Sequence, residues 1–181
     1  GAAAVARLRW DRGGCGVHEA SGQAKVRDFR SHEAGPLDMV VVRGGAPEQL
    51  VAAALRELGG MNRFVARGDV VAVKPNIGWD RGPLHAANTN PVVVAAVVRA
   101  AYDAGAKHVV VTDASCNDPS RCFQRSGIWN AAYAAGAEVI LPVAHRFRTM
   151  RLRGDVLDEW PVYTPLVNAD KVINVPIAKH H

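Results

Sequence analysis

Five short, valine-rich runs recur along the chain: 39–42, 70–73, 108–112, 138–141 and 172–175. Runs of this length, bounded by glycine, proline or charge, read as buried β-strands. Helical segments of about 10–15 residues separate several of them, which is the rhythm of right-handed βαβ units. The sequence therefore predicts an α/β fold: a mostly parallel sheet with helices on both faces. Composition agrees. Of 181 residues, 49% are apolar and only 6% aromatic, so the core must be built from small and β-branched side chains. No apolar stretch reaches the ~20 residues that a membrane-spanning helix needs.

The helices carry their own boundaries. Pro47 suits the first turn of a helix that stops at Gly59-Gly60. Asn90 can cap a Val/Ala-rich helix from Pro91 through Tyr102 to Gly105, and one helix is expected from about Cys122 to Ala135, ended by Gly136. The dense basic run His145–Arg153 alternates Arg146 and Arg148 against Phe147, as an edge strand would, with a hairpin turn at Gly154-Asp155. A solvated strand face and an anion or nucleic-acid patch both fit it. Residues 1–36 show no clean period and read as an irregular arm or cap, leaving residues 37–181 as the α/β domain.

Lys plus Arg is 22 and Asp plus Glu 17, a net charge of +5, which permits an anionic ligand without demanding one. With no aromatic single-strand platform beside the basic run, nucleic acid is not the expected partner. Three cysteines make neither a disulfide framework nor, without a CxxC pair, a four-cysteine zinc or iron–sulfur site. The dinucleotide-binding, P-loop, nucleophile-elbow and zinc-protease motifs are absent as well. The chain opens on Gly1-Ala2-Ala3-Ala4 without methionine, as a processed or trimmed product would, and a cytoplasmic and an exported bacterial protein both fit. It stops directly after an apolar strand, so a missing or separate C-terminal segment is expected to complete the sheet.

In parallel sheets, ligands sit at the carboxyl ends of strands. Three places are nominated. Lys74-Pro75-Asn76 leaves the second run: Lys74 either snorkels to solvent, or holds a phosphate or carboxylate, or moves protons. The long connection that follows ends in Thr89-Asn90-Pro91, a plain cap or an anion site at a helix N-terminus. Asp113, Ser115 and Cys116 follow the third run. Asp113 suits a hydroxyl, a metal or a catalytic water; Cys116 is a candidate nucleophile or metal ligand, and Cys122 a buried thiol. Lys179, His180 and His181 follow the last run and can bind metal or move protons, or belong to a tag.

Taken in order, Lys74-Pro75-Asn76, Thr89-Asn90-Pro91, Ala104-Gly105-Ala106, the Val-Val-Val-Thr run into Asp113, Phe123 with Ser126-Gly127-Ile128, Gly136-Ala137-Glu138-Val139, Ala169 to Pro176 and Lys179-x-His181 resemble the family known as domain of unknown function 362. The resemblance covers about residues 38–181. It implies an α/β domain that continues past the Lys-x-His step. Many relatives add a ferredoxin-like insert with clustered cysteines, which this chain lacks, so an iron–sulfur cluster is not supported for it. The family is distantly similar to nickel-dependent lactate racemases in using lysine and histidine around an α/β crevice. The resemblance thus implies an enzyme of redox or isomerase type that binds a small anionic substrate or cofactor. Lys74, Asp113 and His181 would be catalytic, and Asn76, Thr89, Asn90, Ser115 and Lys179 would bind. A divalent metal, if present, would meet His180, His181 and Cys116. The alternative is a non-catalytic subunit completed by a second polypeptide. The substrate itself is not legible.

Overall fold

A computed structural model describes residue 29 and residues 36–180; the expected arm apart from Phe29 and Pro36, with Cys15 in it, and His181 lie outside the described residues. Two compact units are formed. One takes residues 142–168 of the described chain, and the other takes the rest, on either side of it.

The larger unit is a four-stranded, wholly parallel sheet flanked by helices. Strands β1 (Val70–Pro75), β2 (His108–Thr112), β3 (Glu138–Ile140) and β6 (Lys171–Val175) stand in the order β3-β2-β1-β6. Val71 pairs with Val109 and with Lys171, and Val111 with Val139. The α/β expectation therefore holds. Val71, Val73, Val109 and Val111 share one core with Val94, Val98 and Ala101 of α2 (Pro91–Asp103) and with Ile128 and Ala132 of α4 (Ile128–Ala134). Small side chains on α2 let the helix lie close to the strands, which is what its Val/Ala composition is for. Helix α1 (Pro47–Glu57) packs beside α2, and α3 (Pro119–Arg125) beside α4, so these helices form one connected layer.

Glycine ends these helices in one way. After α2, Gly105 takes φ +98° and donates to the carbonyl of Tyr102 while Ala106 donates to that of Ala101. That pair of bonds satisfies two otherwise orphaned carbonyls. The same pattern closes α1 at Gly59-Gly60 and α4 at Gly136-Ala137. At the other end of α2 the Asn90 side chain accepts from the amide of Val92 at 2.8 Å, as expected of a cap.

Two expectations are corrected. Residues 39–42 form no strand, and Met39 and Val41 are 79% and 78% exposed. High β-propensity without a neighbouring strand to share hydrogen bonds and burial does not make a strand. The helix expected over 122–135 is two helices. Gly127 sits between them at φ +76°, a conformation that stops a right-handed helix, and the Ser126 hydroxyl accepts from the amide of Ile128.

The ends of the β1–β6 seam are fastened by side chains. The amide of Asp170 donates to the Val70 carbonyl, and the Val70 amide donates back to the Asp170 carboxylate at 2.9 Å. At the far end the Thr89 hydroxyl accepts from the Asn76 amide at 2.9 Å and donates to the Val175 carbonyl at 2.7 Å.

The smaller unit contains the expected hairpin. Strand β4 (Phe147–Arg151) pairs antiparallel with β5 (Glu159–Tyr163), and a single helical turn α5 (Thr164–Val167) follows. Phe147 is buried and stacks on Tyr163 at 4.9 Å, while Arg148 is exposed, as the alternation required. Arg146 precedes the strand in a short 3-10 turn instead of sharing its face. Among the described residues no helix is long and apolar enough to cross a membrane.

Candidate functional site

The carboxyl ends of β1 and β2 are neighbours, so the residues that leave them meet. Lys74 reaches from β1 to Asp113, just past β2, with Nζ 2.8 Å from Oδ1. The Asp113 side chain is 8% exposed and its other oxygen accepts from the Ile77 amide at 2.7 Å. Both carboxylate oxygens are thus satisfied, which a buried charge requires. The Lys74 side chain is 38% exposed, and its ammonium is held by Asp113. An ammonium offers three donors. One is committed to Asp113, and the Pro75 carbonyl lies at the 3.5 Å limit for a second.

The loop after Lys74 is stitched to the loop after Asp113. The Ser115 hydroxyl donates to the Ile77 carbonyl at 2.6 Å, and the amides of Cys116 and Asn117 both donate to the Gly78 carbonyl at 3.1 Å. A Cβ on Gly78 would stand 3.3 Å from Asn76 Nδ2 and 3.7 Å from Cys116 Sγ. Asn76, Gly78 and Cys116 therefore adjoin, with an amide and a thiol facing the same glycine.

Further along, Asn88 ties its own loop into a knot. Its oxygen accepts from the Trp79 amide, and its nitrogen donates to the carbonyls of Trp79 and Arg81. Asp80, 13% exposed, is paired with Arg121 at 2.6 Å and lies at the 3.5 Å limit from Arg125, both on α3. From the other side Lys179 donates to the Ala87 carbonyl at 2.6 Å and sits 5.5 Å from the centre of the Trp79 ring.

The geometry thus brings together Lys74 with Asp113, Asn76 with Cys116 and Thr89, and Ser115 with the β1 loop. Lys179 lies against the same loop, engaged with backbone and an aromatic face. The Asn90 side chain is taken up by capping. His180 is exposed and His181 lies outside the described residues. Among the described residues no three His, Cys, Asp or Glu side chains gather closely enough to hold a metal ion. Cys116 and Cys122 are free thiols, the first exposed and the second buried. Burial pushes the Cys122 thiol up, with hydrogen bonds from Ser115 and Asn117 pulling back and the charges of Asp80 and Asp118 adding to the rise.

Trp79, Asp80, Asn88, Arg121 and Arg125 are not among the places that the sequence nominates. The i, i+4 spacing of the two arginines, which puts both on one face of a helix, was the available signal. The role of Asn88 has no local signature, because its partners depend on the loop's path.

A thylakoid-associated protein of Synechocystis sp. is 29% identical over 127 residues, which is 70% of this chain and 39% of that protein. The matched region thus spans about two fifths of the relative's length. No solved structure matches the chain. The sequence model of a domain of unknown function, DUF362, matches residues 71–181, beginning inside β1, so that residues 38–70 of the expected resemblance fall outside it. The strand ends that gather Lys74, Asn76, Asp113 and Lys179 all lie within that match, and the chain belongs to the DUF362 family.

Proposed function

We propose that the strand ends of the larger unit form part of an enzyme site that takes a small anionic substrate or cofactor. The reaction class, redox or isomerase, follows the family resemblance. The observation that carries the reading is the Lys74–Asp113 pair: a buried carboxylate, bonded at both oxygens, that holds the ammonium of a partly exposed lysine at 2.8 Å. A carboxylate so placed fixes the direction of the lysine while leaving it a donor for a ligand oxygen. Asn76 and Ser115 flank it, and the exposed Cys116 thiol supplies a polarisable neighbour. In this reading Lys74 meets the anion, Asp113 positions Lys74, and Asn76 orients the bound group.

The test uses inorganic phosphate and acetate as probes. Titration into the isotope-labelled chain is expected to shift the amides of residues 74–78 and 113–117 at millimolar concentrations. In Lys74→Met these shifts are expected to vanish. Shifts of equal size in wild type and Lys74→Met, or shifts confined to other segments, would remove the assignment.

A second reading is a subunit or binding partner in a larger assembly. It is favoured by β6, which among the described residues lies at the edge of the sheet with Asn174 exposed. Mass measurement on a size-exclusion column separates the two: a stable monomer at micromolar concentration counts against it.

A further inference from the structure

Segment 77–89 leaves β1 beside Lys74 and returns at Thr89, but its fastenings lie to either side of β1. On the β2 side Asp80 is held by Arg121 and Arg125 of α3. On the β6 side Ala87 and Trp79 are held by Lys179, which follows β6. The order β2-β1-β6 therefore makes the segment a band laid across the ends of three adjacent strands. Its base is rigid, through Asn88 and through Thr89. Its tip is exposed: Leu84 is fully exposed, with Pro83, His85 and Ala86 exposed around it. On the β2 side the Asp80 amide also donates to Asn117 Oδ1 at 3.2 Å; the charged fastenings on the two sides are cationic groups gripping oxygen, one a carboxylate and the other a carbonyl. These are the interactions that a free carboxylate or phosphate offers equally well.

We propose that segment 77–89 is an anion-releasable strap. The chain's own Asp80 and Ala87 oxygens occupy Arg121, Arg125 and Lys179 when the strand ends are empty, and an incoming anion competes for the same donors and loosens the band. Displacement by an external anion rests on the reading of the strand ends as an anion site; the ionic fastening of the strap does not. Arg81, exposed within the strap, supplies a direct readout, because trypsin cuts after arginine only where the backbone can open locally.

The full chain is digested briefly with trypsin, and the cut between Arg81 and Gly82 is followed by mass. Wild type is compared with Lys179→Met and with the double variant Arg121→Gln, Arg125→Gln. These side chains are not core, and circular dichroism verifies that each variant is folded. Without ligand, each variant is expected to be cut about two- to five-fold faster at Arg81, the change that loss of a partly exposed charged contact produces, an ion pair in the double variant and an ammonium–carbonyl bond in Lys179→Met. In wild type, sodium phosphate is expected to raise the cut rate relative to sodium chloride at matched ionic strength, and the double variant to show no such difference. Equal rates in wild type and both variants would overturn the strap. Faster variants with no effect of phosphate would keep the fastening and overturn release by anions. Should either variant fail to fold, the other decides the fastening, and amide exchange of residues 82–86 in wild type, phosphate against chloride, decides release by anions, which equal exchange would overturn.

Discussion

Asp113 is more deeply buried than Lys74, and the two therefore respond differently to loss of their partner. In Lys74→Met the carboxylate keeps only the Ile77 amide and stays in a dry place. In Asp113→Asn the amide oxygen can still accept from Ile77, and the lysine can turn to water. Lys74→Met is expected to cost about 2–4 kcal/mol and Asp113→Asn about 1–2 kcal/mol, since an uncompensated buried charge is more destabilising than an unpaired exposed one. Urea denaturation of the two variants checks the order; a larger loss in Asp113→Asn would contradict it. The cysteines give a second contrast. Cys116 is exposed and Cys122 buried with its thiol pushed up from 9.0, above all by burial. Iodoacetamide at pH 8 is expected to label Cys116 in the folded chain and Cys122 only on unfolding, as read by peptide mass. Because the folded thiol holds its proton more tightly, Cys122 adds stability that is complete below pH 9.0 and is lost as the pH rises through its higher folded value. Lys74 and Asp113 were legible in the sequence because a strand end is a defined place. Asp80 and its arginines were not, because their meeting depends on how a long loop crosses other strands.

Among the elements, legibility followed local chemistry. Asn90, Gly105 and Gly136 announce helix ends through backbone needs that any fold would share. The break at Gly127 has the same chemistry, but the apolar pattern of 122–135 runs on past it, and the pattern was the stronger signal. Residues 39–42 failed for the opposite reason: the residues suit a strand, and the decisive partner is a matter of tertiary structure. The helix ends invite measurement. Asn90→Ala is expected to cost about 1 kcal/mol through the lost cap. Gly127→Ala is expected to cost about 1–2 kcal/mol, because a Cβ disfavours the left-handed conformation there, while its contacts with Pro91 and Pro83 at 3.6–3.8 Å are ordinary ones. Thermal unfolding of both variants checks the order. A Gly127→Ala variant as stable as wild type would mean that the two helices fuse without penalty.

On the scale of the whole molecule, the sheet has a centre and two margins. Strands β1 and β2 are paired on both sides, while β3 and β6 are margins and the β4–β5 hairpin is a ribbon in its own unit. Amide exchange is expected to be slowest at Val71–Val73 and Val109–Val111, intermediate at Val139 and Ile173, and fastest in residues 147–163, since a two-stranded ribbon has little to hold it. Uniform protection across all six strands would show that the two units open as one. The α/β class was legible from the spacing of the valine runs. The strand order was not, because nothing local tells β6 to bypass β2 and lie against β1.

That bypass gives the clips at the two ends of the β1–β6 seam their meaning. A hairpin's turn dictates which residue faces which; two parallel strands about a hundred residues apart receive no such instruction from the chain. Here Asp170 meets Val70 at one end and Thr89 joins Asn76 to Val175 at the other. A slip of one residue would unmake both clips at once and turn every side chain of β6 to the wrong face. Alignment is thus proofread at both ends, and Lys179 inherits the accuracy, since its distance from the strand ends is counted from a seam that has one permitted setting.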